Sequence, residues 1–216
     1  MEHRFEKPIE KDRSSSYGSN FLVCRSRKLS RRITAFSYIV FDGLLTLEMN
    51  PGVSWYCERP LTDEVFIDGS HLTVSPDVFV EYHDGRTEFQ WFRYTADECE
   101  NLSIHVKAWS LQKKENARVL YAKDIYKGPF YIRNLCFLAS RARRNTRVEG
   151  GFEKAVTFYL KDRERASIAD LCREGFLSRE HALSLISDFC YRGLISVTDI
   201  ENKPISIFSE VQLNES

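Results

Sequence analysis

An acidic residue in front of a β-hairpin is the part of this sequence best suited to chemistry. Asp77 precedes the apolar run 78–80, and Asp84-Gly85 then forms a tight turn, because glycine accepts a positive φ without steric cost. Many Mg²⁺-dependent nucleases place one metal-binding carboxylate before such a hairpin and a Glu-x-Lys on its return strand. The return strand 87–94 contains no Glu-x-Lys. What the chain does therefore depends on which residues stand in its place.

Two alignments of the return strand give two different sites. Counting from the turn without a gap puts Trp91 and Arg93 at the Glu and Lys positions, whereas a shifted alignment puts Glu88 and Gln90 there. Successive side chains of a strand point to opposite faces, so the two alignments direct opposite faces at the site. A lone carboxylate holds Mg²⁺ poorly. The predicted remnant catalytic residues are Asp77, Glu88, Gln90 and Arg93, with Asp77 and Glu88 as metal ligands only if the protein is active.

The elements around the hairpin predict an α/β domain with a mixed sheet flanked by helices. The predicted helices are 33–48, 97–116 and 127–144, and the predicted strands outside the hairpin 72–94 are 53–59, 64–67 and 117–121. A polar stretch with two glycines at 143–151 predicts a linker. We therefore expect a basic, largely irregular arm at 1–32, the α/β domain at 33–148 and a small domain at 149–216.

The small domain has the pattern of a winged helix, which is a variant of the helix-turn-helix. Its predicted elements are three helices and two short strands, at 152–160, 168–176, 179–191, 195–197 and 205–208. Residues 166–216 carry four Lys/Arg against eight Asp/Glu, a net charge of −4. Because phosphate contacts dominate non-specific DNA affinity, this domain is poorly suited to DNA. We predict that it binds a protein partner through Arg179, His181 and Asp188.

The N-terminal part of the chain has the opposite charge balance. Residues 1–35 carry nine Lys/Arg against four Asp/Glu, a net charge of +5, although the whole chain has a formal net charge of zero. The simpler interpretation is a solvated tail, and the functional one is an arm that contacts DNA phosphates. The predicted DNA-binding residues are Arg25, Arg27, Lys28, Arg31, Arg32, Arg141, Arg143 and Arg144.

Several other classes of protein are disfavoured. The six cysteines include no Cys-x-x-Cys pair, which argues against a zinc ribbon, and the five histidines stand at no catalytic spacing from a cysteine. No glycine-rich phosphate loop, signal peptide or membrane-length apolar run is visible. These features predict a cytoplasmic protein with no membrane partner and no expected cofactor.

A set of short motifs, taken in order, resembles one enzyme family. The motifs are Ser37, Asp42, Leu44-Leu45 with Glu48, Asn50-Pro51-Gly52-Val53, Glu58-Arg59-Pro60, Ser75-Pro76-Asp77 and Asp84-Gly85-Arg86. Their order and spacing resemble the TnsA-like endonucleases, which combine a PD-(D/E)xK restriction-endonuclease-like fold with a C-terminal winged helix. The resemblance implies Mg²⁺-dependent cutting at the 5′ ends of a transposon. It also implies a transposase subunit or an ATPase regulator as protein partner.

The sequence departs from this family at the catalytic positions. The helix glutamate that follows Ser37 in the family pattern falls on Val40 here, and the Glu-x-Lys is lost in either alignment. The departures favour a pseudonuclease that acts as a DNA-associated adaptor in transposition or a related mobile-element process. One alternative is a Mg²⁺-dependent endonuclease with a remodelled site or a site completed in a complex. Another is a winged-helix transcriptional regulator.

Overall fold

The computed structural model describes residues 3–10, 20–96, 100–142, 150–174 and 178–214. Its contacts divide the chain into two units, Met1–Glu48 with Gly52–Ile125 and Met49–Pro51 with Tyr126–Ser216. The predicted boundary at residue 148 therefore lies too late in the chain, because the helix before it belongs to the second unit. Within the described ranges, no helix is long and apolar enough to cross a membrane.

The first unit is built on a mixed four-stranded sheet. Its elements are β1 (Leu22–Arg25), β2 (Arg32–Ala35), α1 (Tyr38–Met49), β3 (Val53–Glu58), β4 (Asp63–Ile67), β5 (Ser70–Val74), β6 (Val78–Tyr82), β7 (Thr87–Arg93), α2 (Glu100–Lys113), β8 (Ala117–Tyr121) and α3 (Ala122–Ile125). The sheet order is β3-β6-β7-β8, with the first three strands antiparallel and β8 parallel to β7. The pairs β1-β2 and β4-β5 form separate hairpins. The predicted mixed α/β architecture is confirmed.

Two predictions for the first unit are wrong in detail. The helix predicted from residue 33 begins at Tyr38, and the residues before it form β2. Ile33 and Ala35 are buried and alternate with more exposed neighbours, which is the period of a strand and not of a helix. The stretch 72–94 is also not one hairpin, because β5 pairs with β4 while β6 pairs with β7.

The two faces of the sheet pack against different helices. On one face, the rings of Phe89 and Trp91 lie 5.0 and 5.8 Å from the ring of Trp109 in α2. Phe92 alternates with Trp91 and so points to the other face, where α1 lies. A Cβ on Gly43 of α1 would come within 2.8 Å of the Phe92 ring, so only glycine permits this approach. The aromatic residues of β7 are therefore core residues.

Residues 3–10 belong to the first unit and do not form a free arm. His3 stacks on Trp55 with ring centroids 3.9 Å apart, and Phe5 packs edge-on against Phe79 at 4.9 Å. Further along, the Ile9 amide donates to the Arg59 carbonyl over 2.9 Å. The predicted irregular arm at 1–32 is thus partly ordered by contacts of residues 3–10 and by β1.

The second unit combines four helices with a three-stranded sheet among its described residues. Its elements are α4 (Tyr131–Ala142), α5 (Gly150–Lys161), β9 (Ala166–Ser167), α6 (Ile168–Glu174), α7 (Arg179–Tyr191), β10 (Ile195–Val197) and β11 (Glu210–Leu213). The antiparallel sheet has the order β10-β11-β9. The predicted strand at 205–208 is wrong, because the Ser206 and Ser209 hydroxyls accept backbone hydrogen bonds that form a turn there. The second strand of the predicted wing is β11.

Candidate functional site

A cavity of about 590 Å³ opens in the first unit where the sequence placed its chemistry. Three segments line most of it: the start of α1, the residues before β6 and the end of β7. We call it the Asp77 cavity. Its lining comprises Ile9, Glu10, Ala35, Phe36, Ser37, Ile39, Val40, Arg59, Leu61, Thr62, Ser75, Pro76, Asp77, Phe92, Arg93 and Tyr94.

The carboxylate of Asp77 is bound by the protein itself. Its Oδ2 accepts a hydrogen bond from Arg93 Nη1 at 2.6 Å and another from the Phe92 amide at 2.8 Å. Both side chains are mostly buried, with 20% exposure for Asp77 and 27% for Arg93. Since Val78 pairs with Gln90, Asp77 lies at the level of Trp91, but Trp91 packs against Trp109 and does not line the cavity. The structure thus brings together two of the four predicted catalytic residues, as a salt bridge.

The other two predicted residues lie elsewhere. Glu88 Oε2 accepts hydrogen bonds from Gln90 Nε2 at 3.1 Å and from the Tyr82 hydroxyl at 3.2 Å. Glu88 pairs with Val80, three residues along the strands from the level of Asp77, which is a separation of about 10 Å at the usual rise. Mg²⁺ ligands lie about 2.1 Å from the ion, and Glu88 lines a different cavity from Asp77. The structure therefore separates the two carboxylates that the shifted alignment would combine.

The Asp77 cavity does not fit the Mg²⁺ site that the resemblance implies. Val40 lines it where the family has a glutamate, and the only carboxylates among its described lining residues are Asp77 and Glu10. Across the described part of the chain, no group of three or more His, Cys, Asp or Glu side chains could hold a metal ion. Two guanidinium groups, of Arg59 and Arg93, line the cavity instead. The two carboxylates and two guanidinium groups balance in charge, whereas a hard divalent cation requires an excess of anionic oxygen ligands.

Arg59 is a lining residue to which sequence reasoning assigned no role. Its backbone has a φ of 47°, and its guanidinium donates to the Thr34 carbonyl and hydroxyl, each at 2.7 Å. Burial lowers the pKa of Arg59, partly offset by the charge of Glu58. An arginine nevertheless stays protonated in proteins. Its position in the Glu58-Arg59-Pro60 motif, at the end of a strand, was the only sequence signal for it.

Two of the predicted DNA-binding cations point into the protein. Both terminal nitrogens of Arg31 bind the carboxylate of Glu58, at 2.8 and 2.7 Å, and Glu58 is only 1% exposed. Burial alone would lower the pKa of Arg31, but its hydrogen bonds with Glu58 raise it. Lys28 Nζ donates to the Val53 carbonyl at 2.7 Å, and burial lowers the pKa of this amine. Lys28 and Arg31 therefore direct their charged groups to partners within the protein.

The remaining predicted cations are distributed differently. Arg25 and Arg32 are exposed and lie directly opposite each other on β1 and β2. Arg27 is partly buried, and its amide donates to Glu48 at 2.8 Å. The guanidinium of Arg141 in the second unit lies 3.7 Å from the centroid of the Phe137 ring. Arg143 and Arg144 lie outside the described residues.

The loop 26–31, which we call the β1–β2 loop, is anchored by a buried carboxylate. Glu48 is 2% exposed and accepts hydrogen bonds from the Ser26 hydroxyl at 2.6 Å and the Tyr56 hydroxyl at 2.8 Å. Burial, with the nearby charge of Glu48, raises the pKa of Tyr56 well above its ordinary value. Glu48 was part of the family motif, and the structure gives it an anchoring role.

The residues predicted to dock a partner divide between surface and interior. Arg179 and His181 are exposed in the first turn of α7, where Ser178 caps the helix by accepting from the His181 amide at 3.3 Å. Asp188 is only 4% exposed and lies 3.6 Å from Arg192 Nη1. Asp188 is therefore not available to a partner, and the docking prediction keeps only Arg179 and His181.

Within the second unit, α4 packs along α7 and holds the loop 198–209, which we call the β10–β11 loop. Asn134 of α4 is 2% exposed, and its amide nitrogen donates to the Ile200 and Lys203 carbonyls, each at 2.7 Å. Its amide oxygen accepts from the Ile205 amide at 3.0 Å. A Cβ on Gly128 would lie 2.4 Å from a carbonyl oxygen of the same loop. Both α7 and the loop are thus held by the segment that begins this unit.

No protein-family model matches the chain, and no curated protein is significantly similar to it. The resemblance to the TnsA-like endonucleases therefore stays a prediction. It depends on the order and spacing of the short motifs.

Proposed function

We propose that this chain is a TnsA-like pseudonuclease that acts as a DNA-associated adaptor in transposition or a related mobile-element process. The first unit would be a restriction-endonuclease-like domain that binds DNA without cutting it. The second unit would be a winged helix that binds a protein partner, such as a transposase subunit or an ATPase regulator.

The order of elements in the first unit supports this proposal. The helix α1 is followed by the antiparallel strands β3, β6 and β7, then by α2 and the parallel strand β8. These four strands form one sheet, and β4 and β5 form a separate hairpin between β3 and β6. A restriction-endonuclease-like domain requires a Pro-Asp segment beside the return strand of its central hairpin. Asp77 has that position here, because its amide donates to the Gln90 carbonyl at 3.0 Å.

The salt bridge between Asp77 and Arg93 is the observation that carries the inactive interpretation. A metal-binding aspartate needs free carboxylate oxygens and further anions around the same ion. Asp77 Oδ2 is instead held at 2.6 Å by a cation, and the neighbouring helix contributes the apolar Val40 to the cavity. The pairing of Asp77 with Arg93 and the apolar Val40 therefore support an inactive site.

The second unit supports a docking role over DNA reading. The order α5-β9-α6-α7-β10-β11 and the sheet order β10-β11-β9 are compatible with a winged helix in which α7 is the third helix. In a DNA-reading winged helix, the third helix and the wing must reach the DNA. Here α4 packs along α7, and Asn134 fastens the β10–β11 loop that would be the wing. This arrangement counts against the transcriptional regulator.

A cleavage assay separates the pseudonuclease from the active enzyme. The purified full chain is incubated with supercoiled plasmid in Mg²⁺ or Mn²⁺, alone and with candidate partner proteins, beside an Asp77→Ala variant. We expect no nicking that depends on Asp77. Nicking that the wild type performs and Asp77→Ala lacks would establish the endonuclease alternative.

A binding assay tests association with DNA. Arg25→Glu/Arg32→Glu reverses two exposed charges on the β1-β2 hairpin, and Lys107→Glu/Lys123→Glu makes the same charge change at exposed positions of α2 and α3. If both arginines contact phosphates, the first pair lowers the slope of log K against log salt by about 2, and the control pair leaves it unchanged. Equal losses in both variants, or no affinity at low salt, would exclude this hairpin as the contact.

A further inference from the structure

The Asp77 cavity has the size and lining of a site for an organic ligand. Its volume of about 590 Å³ lies within the ~300–1,000 Å³ typical of small-molecule pockets. Much of its wall is apolar or aromatic, including Phe36, Val40, Phe92 and Tyr94. A few polar groups converge on this wall, which is how ligand sites fix the orientation of what they bind.

The cations of the cavity suit a phosphate group. Arg93 binds Asp77 and the Phe92 carbonyl through one terminal nitrogen, Nη1, and a guanidinium has five N–H donors in a planar fork that matches phosphate oxygens. The salt bridge with Asp77 fixes the direction of this fork. Arg59 adds a second, half-buried positive charge that hydrogen bonds to Thr34 hold in place.

The other lining groups suit the rest of a nucleotide. Three hydroxyl side chains, of Ser37, Thr62 and Ser75, line the cavity as partners for sugar hydroxyls. The carboxylate of Glu10, which also lines the cavity, can accept hydrogen bonds from hydroxyl or amino groups. Tyr94 lines the cavity and is 44% exposed, and an aromatic side chain can stack on a planar base.

We propose that the Asp77 cavity binds a nucleoside monophosphate unit, with its phosphate on Arg93 beside Arg59 and its base against Tyr94. A free nucleotide and the phosphorylated end of a DNA strand both present this chemistry. The binding involves no bond making or breaking. It goes beyond the adaptor function and does not depend on it.

Calorimetric titration of the full chain with adenosine 5′-monophosphate tests the site. We expect binding, with adenosine and inorganic phosphate each at least about tenfold weaker, because each lacks one half of the recognised unit. Arg93→Gln and Tyr94→Ala should each weaken binding by about tenfold. Tyr38→Ala is the matched control, since Tyr38 is 54% exposed and does not line the cavity.

A second variant keeps the test sound if Arg93→Gln unfolds the protein by leaving Asp77 without its partner. Val40→Trp fills the cavity without changing a charge and should abolish binding while circular dichroism stays native. Oligonucleotides with and without a 5′-phosphate then assign the source: preference for the phosphorylated strand indicates a DNA end, and no preference indicates a free nucleotide. No heat from the monophosphate up to about 5 mM, or unchanged affinity in Val40→Trp, would overturn the proposal.

Discussion

Each unit fastens one loop to its interior with buried polar side chains, but the two units use different chemistry. In the first unit, the carboxylates of Glu48 and Glu58 hold the β1–β2 loop, and their partners include the cation of Arg31. In the second unit, the neutral amide of Asn134 holds the β10–β11 loop through three backbone groups.

The chemistry of the anchor determines which side chains of the loop stay exposed and can bind other molecules. A buried carboxylate anchor binds cations. Arg31 of the β1–β2 loop is therefore directed inward, although the sequence predicted it as part of a DNA-binding cluster. An amide anchor satisfies backbone groups alone and draws no charged side chain of its loop inward. Lys203 and Phe208 of the β10–β11 loop are exposed, the latter by 78%. The second loop is therefore the better candidate for a partner surface.

The largest predicted effect comes from removing the helix that carries the amide anchor. A fragment of residues 149–216 matches the boundary expected from sequence, whereas a fragment of 126–216 keeps α4. We expect the longer fragment to unfold cooperatively and the shorter one to lack a transition, because it loses the buried Leu135, Leu138, Ala139 and Ala142. Thermal circular dichroism of both fragments measures this. Equally sharp transitions would show that α4 is not part of the folded unit.

Breaking the carboxylate anchor should have the next largest effect. Glu58→Gln leaves Arg31 mostly buried without a counter-charge, and loss of one partner of a buried pair costs about 3–5 kcal/mol. The three tryptophans, Trp55, Trp91 and Trp109, all lie in the first unit, so their fluorescence in urea reports this unit alone.

Glu64→Gln is the control for this variant, because Glu64 is 69% exposed and its contact with His71 is 3.5 Å long. We expect a change below about 0.5 kcal/mol there. A Glu58→Gln variant as stable as this control would mean that Arg31 reaches water when Glu58 is neutral.

The amide anchor should contribute less than the ion pair. Asn134→Ala removes three hydrogen bonds and leaves backbone groups of the β10–β11 loop unpaired, at an expected cost of about 2–3 kcal/mol. Asn202→Ala in the same loop loses one exposed hydrogen bond, to Asp199, and should change stability little. Far-ultraviolet circular dichroism of the 126–216 fragment separates the two variants. Tryptophan fluorescence of the full chain should not change in either.

The sequence predicts the regular elements of this fold well and its polar side chains poorly. The extent of α7 and the order of the hairpin β6-β7 follow from local periodicity and turn residues, and the structure has both. Whether an arginine faces water or a buried carboxylate depends on residues about 27 positions away, as for Arg31 and Glu58. The composition of this segment therefore indicated a basic cluster but not whether its side chains face water or the interior.

In the candidate site, too, the sequence predicted some features and missed the contacts of the polar side chains. The departure of Val40 from the family pattern predicted a lost metal site, but no feature of the sequence indicated that Arg93 would bind Asp77. The sequence leaves the alignment of the return strand ambiguous because both faces of β7 carry polar residues, and the structure divides these residues: Arg93 binds Asp77, whereas Glu88 binds Gln90 and Tyr82. The role of Arg59 depends on a backbone φ of 47°, which no pattern in the sequence indicates.

Acid should have the smallest of these effects, through one carboxylate of the first unit. The hydrogen bond from Lys113 lowers the pKa of Asp63 in the first unit, and the same carboxylate accepts from Trp109. A carboxylate with a lowered folded pKa stabilises the fold above its unfolded pKa of about 3.9, and this stability is lost as the pH falls through the folded value. The pair is partly exposed, so we expect a loss below about 1 kcal/mol. Urea titrations monitored by tryptophan fluorescence at pH 6 and near pH 3 measure the loss, and Asp63→Asn should reduce it.

The Asn134 anchor carries no titratable group, so the loss of stability in Asn134→Ala should be the same at both pH values in the 126–216 fragment. A loss that depends on pH there would contradict the contrast between the two anchors.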